Sequence, residues 1–314
     1  MKTYAVRHKD EDIRAKSRSG GVFSAISDKI LDMDGVIYGV VLNDSFEAVH
    51  ARAEDAIGRD LMRGSKYMQS NLGDTFKAVK KDLIQGRQVL FSGTSCQVAG
   101  LQAFLGKSYD NLLTVDIVCH GVNSPKIWKE YLGWQSRKHG NKKIVAVDFR
   151  NKAKFGWRAH FETLTFDDGE QIDSEVFRHL FFNHRILRPS CYECLYKSTM
   201  HPGDITIADY WMVENNAPEM DDNKGVSLVL VNTSKGSKLF EEIGDKIWFK
   251  ETNIETSMQP ALYEATKRPY NRNSFWKEYR KGNIEYLMDK YGKLVKDPFV
   301  IRGFRKLRKI ITRG

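Results

Sequence analysis

The 314-residue sequence contains no run of eighteen apolar residues and no apolar signal segment near Met1. Nothing in it reads as a membrane span or a secretion leader, and the expectation is a soluble cytoplasmic protein. Cysteine is scarce: the four present are too few for a disulfide scaffold and fit a reducing compartment better. Internal repeats and low-complexity linkers are absent as well. The basic charge is concentrated in one place. Between Phe299 and Gly314 there are six basic side chains and no acidic ones, more than half of the formal charge of +10. The body of the chain is therefore unremarkable in charge, and nucleic acid is not an expected partner.

The four cysteines sit in informative places. The run Leu112 to Val118 is apolar and β-branched, and it feeds into Cys119-His120-Gly121, which reads as a buried strand ending at a turn. Ser124 and Pro125 then suit the N-cap and first residue of a helix. One unit earlier, strand Gln88–Ser92 and loop Gly93–Cys96 precede a helix carrying Val98, Leu101, Phe104 and Leu105. In a parallel sheet with helical crossovers two such turns share one edge, so Cys96 and Cys119 are expected to be neighbours. Cys191-Tyr-Glu-Cys194 adds two thiols at a spacing that can wrap one metal or one cluster. Zinc and iron–sulfur both accept four thiolates, and small buried core residues are the alternative for Cys96 and Cys119.

The order of patterns predicts an α/β N-terminal module (residues 1–140) with a mostly parallel sheet, then an α+β C-terminal module (141–295). The tail (296–314) places Val300, Phe304, Leu307 and Ile311 on one helical face among basic residues. It reads either as a helix for an anionic membrane surface, making the protein peripheral to the membrane, or as a helix packed on the body. Strands are expected at Thr3–Val6, Val36–Val41, Ile144–Phe149, Arg158–Phe166, Asp204–Tyr210 and Ser227–Val231. Helices are expected from Val22, from Leu72 with Ser70 as a plausible N-cap, and around Phe177–Asn183. The chain is read as mainly helical after Lys235.

Ser17-Arg-Ser-Gly-Gly21 ends a polar, basic loop between a strand and a helix N-terminus, where free N–H groups suit a phosphate and Arg14, Lys16 and Arg18 reinforce them. A tight structural turn is the readier explanation. Ser65-Lys66-Tyr67 and Gln69-Ser70 form a second polar patch before a helix. His120 could donate a proton to a cofactor or substrate, or serve as a structural hydrogen-bonder. Arg150, Lys152 and Trp157 could clamp a flat acidic ligand or form a solvated hairpin, and Asp209-Tyr210-Trp211 could face the same pocket.

Taken together, Ser17–Gly21, Gly64–Ser70, Gly93–Leu101, Asp116–Val122, Phe149–Lys152, Gly156-Trp157, Cys191–Cys194 and Asp204–Trp211 resemble the coenzyme F-420 hydrogenase/dehydrogenase beta subunit family. The resemblance implies an iron–sulfur flavoprotein oxidoreductase. In it FAD exchanges hydride with a deazaflavin or other small organic acceptor, and a 4Fe-4S cluster passes single electrons. Its cluster ligands would be Cys96, Cys119, Cys191 and Cys194. FAD would lie across Ser17, Ser19, Gly20, Gly21, Ser65, Lys66, Tyr67, Gln69 and Ser70, with Thr94 and Gln97 nearby. Ser95 stands where the family has proline, and Ala208 and Met212 replace two glycines. The eight-cysteine ferredoxin module of many relatives does not precede the first motif, so a separate ferredoxin-like donor is expected. Similar stand-alone forms accompany polysaccharide biosynthesis. The competing readings are a non-redox polysaccharide-pathway transferase or scaffold with a structural zinc site, and a nucleophilic thiol at Cys96.

Overall fold

The computed structural model of the chain describes residues 1–293; the basic tail expected over 296–314 lies outside them. The first half runs β1 (Lys2–His8), α1 (Glu11–Lys16), α2 (Val22–Leu31), β2 (Val36–Leu42), β3 (Ala48–Ala53), α3 (Ala56–Asp60), α4 (Thr75–Ile84), β4 (Val89–Thr94), α5 (Ser95–Leu105), β5 (Leu112–Ile117) and α6 (Pro125–Lys138). Beyond it come β6 (Ile144–Asp148), α7 (Lys152–Phe155), β7 (Glu162–Phe166), β8 (Gln171–Ser174), α8 (Val176–Phe182), β9 (Ile205–Asp209), α9 (Val213–Asn216), β10 (Ser227–Val231), α10 (Ser234–Glu242), β11 (Ile247–Thr252), α11 (Arg272–Tyr279) and α12 (Ile284–Tyr291).

Eight strands form one sheet in the order β11-β1-β10-β9-β5-β4-β2-β3. Side chains of a strand alternate between its faces, and here both faces are buried. Ile37, Leu90, Leu113 and Val115 point to one side, where Val22, Ile26 and Ile30 of α2 and Leu239 and Phe240 of α10 cover them. Val36, Tyr38, Val89 and Phe91 point to the other, under Val79 and Leu83 of α4 and Val98 and Leu101 of α5. A second sheet, β6-β7-β8, closes with α6, α8, α11 and α12 around Trp128, Tyr131, Phe149, Phe177 and Phe275.

The α/β reading holds, but the large sheet is mixed. β2, β4, β5 and β9 are parallel neighbours, whereas β3, β10, β1 and β11 join by antiparallel pairing. Strands from both sides of residue 140 therefore share one sheet, and the change of pattern there marks the start of the segment that carries the small sheet. Three local readings change. Residues 11–16, read as loop, are a helix because Asp10 caps it, accepting from the N–H groups of Asp12 and Ile13 at 2.9 Å. Ser70 caps nothing, since the helix beyond it starts after Asp74. β11 interrupts the helical C-terminal stretch. Its mostly exposed edge position leaves no alternation in the sequence to read. Among the described residues no helix is long and apolar enough to cross a membrane.

Candidate functional site

The parallel strands make one edge of the large sheet chemically distinct, because β2, β4, β5, β9 and β1 all end there. Ligands of open α/β sheets bind in such a place. A cavity of about 780 Å³ opens at this edge, lined by the turns after β1, β4, β5 and β9 and by residues 62–68.

Cys96 stands in the first turn of α5 and is exposed, its Sγ 3.2 Å from Thr94 Oγ1. Gln97 closes the same turn. Its Oε1 accepts from the Thr94 N–H at 3.0 Å and its Nε2 donates to Ser70 Oγ at 2.8 Å. Cys119 follows β5. Burial pushes its thiol up to about 12 against the pull of Lys197 and the Gly121 N–H, and the neighbouring thiols of Cys191 and Cys96 add to the rise. Gly121, at φ +134°, lets the chain pass Cys191: a Cβ there would lie 3.4 Å from Cys191 Cβ. The Cys191 thiol is raised by burial first, eased by the Val122 N–H, and raised again by Cys194 and Cys96. Lys197 donates a close hydrogen bond to the Cys119 carbonyl. Three segments distant in sequence thus bring the four thiols close enough to influence one another, and Cys119 among them lines the cavity. Among the described residues no three His, Cys, Asp or Glu side chains converge tightly enough to hold a single metal ion.

The expected cofactor contacts divide. Ser17, Ser19, Gly21, Ser65, Lys66, Tyr67, Ser70, Thr94, Gln97 and His120 line the cavity, and Gly20 and Gln69 do not. Gly20 serves packing: a Cβ would come within 2.1 Å of the Val6 carbonyl oxygen, and its N–H donates to Ser227 Oγ at 3.0 Å. Gln69 instead borders a separate cleft. The hydroxyl protons of Ser17 and Ser19 are committed to the carbonyls of Ile13 and Val226, both at 2.7 Å, so only their oxygen lone pairs remain for a ligand. Gly21, at φ +90°, opens α2 without a side-chain cap; the Ser24 N–H is bonded to the Gly21 carbonyl at 3.0 Å, which leaves the N–H groups of Val22 and Phe23 for a ligand. Burial pushes Lys66 down to about 7, with its ammonium against the carbonyls of Arg63 (2.8 Å) and Leu61 (3.0 Å).

His120 does not stand alone. Its Nε2 lies 2.8 Å from His184 Nε2, so one imidazole donates and the other accepts. Burial, then the neighbouring His184 and Lys197, push His120 down to about 3, which makes it a neutral hydrogen-bonder at pH 7 and favours that reading over proton donation.

Residues 149–157 supply a wall that the sequence left open between clamp and hairpin. Arg150 is buried and pairs with Asp209 Oδ2 at 2.7 Å, and Trp157 Nε1 donates to the other carboxylate oxygen at 2.8 Å. Arg18 reaches the carbonyls of Arg150 (2.6 Å) and Trp157 (2.7 Å). Its Nε, inside the protein, has no partner among the described residues. Burial and the nearby Arg150 push this guanidinium down to about 10. Trp157 stacks on Trp211 with centroids 5.3 Å apart. Met62, His160, Phe181, Phe182 and Gln259 also line the cavity, and no motif in the sequence points to them. Phe181 and Phe182 come from the helix expected around Phe177–Asn183, but no pattern along the chain aims any of these five at the cavity, and only the fold brings them in.

Residues 86–257 match the family model for the C terminus of the beta subunit of coenzyme F420 hydrogenase/dehydrogenase. Among solved structures, the chain is similar to one chain of the xenon-derivatised F420-reducing [NiFe] hydrogenase complex from Methanosarcina barkeri. The TM-score is 0.55 at 15% identity, over 95% of this chain and 96% of that one. At that identity the likeness is one of fold. No curated protein matches the chain.

Proposed function

The chain belongs to the coenzyme F420 hydrogenase/dehydrogenase beta subunit family, and on that basis we propose that it is an iron–sulfur flavoprotein that moves electrons between a protein donor and a small organic acceptor of the deazaflavin kind. The observation that carries this reading is the position of Cys119: it lines the large cavity and at the same time faces Cys96 and Cys191. A redox group on the thiols and a flavin in the cavity would therefore be in contact through one residue.

The residues suit both groups. Four thiolates are the ligand set of a 4Fe-4S cluster, and the Gly121 and Val122 N–H groups already lean on the Cys119 and Cys191 thiols, the outer-sphere hydrogen bonding that tunes such sulfurs. The cavity's size and its mostly apolar, aromatic walls fall in the range of cofactor sites. The open N-terminus of α2, Lys66 and the Arg18 Nε provide positive groups for a pyrophosphate. When bound, FAD would supply the exchange between two-electron hydride chemistry and single electrons. The protein's own part is to bind and orient. Trp211 and Phe182 wall the cavity, and His120 and His160 present neutral imidazoles. The Arg150–Asp209 pair fixes the indole planes. A ferredoxin-like protein is the proposed donor.

Anaerobic purification followed by an absorbance spectrum with iron, zinc and flavin analysis tests the reading. The expected result is a flavin signature with about four irons per chain. Zinc without flavin would overturn it in favour of a structural metal site. Cys191→Ser and Cys194→Ser should each abolish cluster incorporation, and a variant that kept a full iron complement would sink the ligand assignment.

A further inference from the structure

A second cleft, of about 520 Å³, shares no lining residue with the large cavity and lies between the N-terminus of α6, the 186–189 segment and α11. Arg188, Arg272 and Arg280 line it. Among the described residues none of the three meets a carboxylate. Arg272 uses Nε on the Tyr192 hydroxyl (3.1 Å) and Nη2 on the Leu187 carbonyl (3.3 Å) and lies over the Trp276 ring; Arg188 and Arg280 are exposed.

The α6 helix begins at Pro125 behind Ser124, whose side chain caps none of its first N–H groups. A fourteen-residue helix with an open N-terminus attracts an anion. By itself that would be weak, but Asn123 is an independent observation. It lines the same cleft, is only 1% exposed, and among the described residues neither its Nδ2 nor its Oδ1 has a hydrogen-bond partner. A buried amide left unsatisfied destabilises the fold through its lost hydration, and a ligand oxygen would relieve it.

We propose that this cleft binds the phosphate group of a small molecule, held by the α6 N-terminus and the Asn123 amide on one side and the three arginines on the other. A doubly charged group with three acceptor oxygens matches that donor set better than a single carboxylate does. Trp276, which also lines the cleft, can take the rest of the molecule against its ring. The site does not depend on the redox reading.

The experiment is calorimetric titration of the full chain in low-salt, phosphate-free buffer, at matched ionic strength, with orthophosphate, a sugar phosphate and a nucleoside monophosphate. Saturable binding of one phosphate per chain is expected. A tighter ester would identify an organic phosphate as the source, and equal affinities would identify free phosphate. Arg280→Ala and Arg188→Ala remove exposed side chains that hold nothing in the fold, and each should weaken binding about tenfold. Asn123→Ala should weaken binding while leaving the ligand-free melting temperature unchanged or higher. Absence of saturable binding, or binding that the two arginine variants leave intact, would overturn the proposal.

Discussion

Arginines wall both cavities of this chain, and they do opposite things. In the larger one Arg150 is buried, bonded to Asp209 and to the carbonyls of Trp157 (2.8 Å) and Ala159 (3.2 Å). It is part of the frame that holds the indole rings. In the smaller one Arg188 and Arg280 are exposed and have no carboxylate partner among the described residues. The same side chain is scaffold in one place and free charge in the other. The partner decides which: desolvation forces a buried cation to acquire an anion, whereas an exposed one meets no such penalty and keeps its donors.

That contrast is tested most severely at Arg150. Arg150→Ala leaves the half-buried Asp209 with the Trp157 N–H but without its paired cation, and should cost about 3 kcal/mol in a urea melt, the lower end for a buried pair. Adding Asp209→Ala should recover part of the loss, because the stranded charge goes too. A loss below about 1 kcal/mol in the single variant, the scale of an exposed pair, would mean that Arg150 is as free as Arg280.

Glu162 probes the same rule with the opposite charge. It is a buried carboxyl with no ion-pair partner among the described residues, hydrogen-bonded by Tyr131 (3.2 Å) and the Phe177 N–H (2.9 Å). Burial pushes it up from 4.5 to about 7. The folded state therefore holds this proton more tightly than the unfolded state does. Its contribution is complete below pH 4.5 and is lost as the pH rises through 7, a swing of about 3 kcal/mol at most. Glu162→Gln should flatten stability across that window and raise it at pH 8, as read by thermal melts at several pH values. An unchanged pH profile would place the carboxyl in a more polar setting.

Arg280 should respond least. Arg280→Ala should change stability by no more than about 0.5 kcal/mol while weakening phosphate binding. A large stability loss would give it a structural role like that of Arg150.

Much of the frame was legible along the chain. The strand–turn–helix units around Cys96 and Cys119 read correctly because both signals are local: a β-branched run fixes the strand, and Ser124-Pro125 fixes the helix start. The shared edge follows once the two strands are parallel neighbours. The site read less completely. Gly20 looked like a phosphate contact and is instead the point where the chain crosses β1 and β10 too closely for any side chain. Gln69 belongs to the other cleft. Arg150 offered two readings, and the choice between them depended on Asp209, which arrives on β9.

Reading along the chain was enough for the apolar runs that become buried strands, the placement of two cysteines at strand ends, and the family. Each follows from side-chain chemistry repeated at short spacing. It took the folded molecule to show that β1 joins β10 and β11, that His120 shares its Nε2 with His184, and which arginines are bound and which are left free. Those facts depend on residues far apart in the chain meeting in space, and no local pattern records such a meeting.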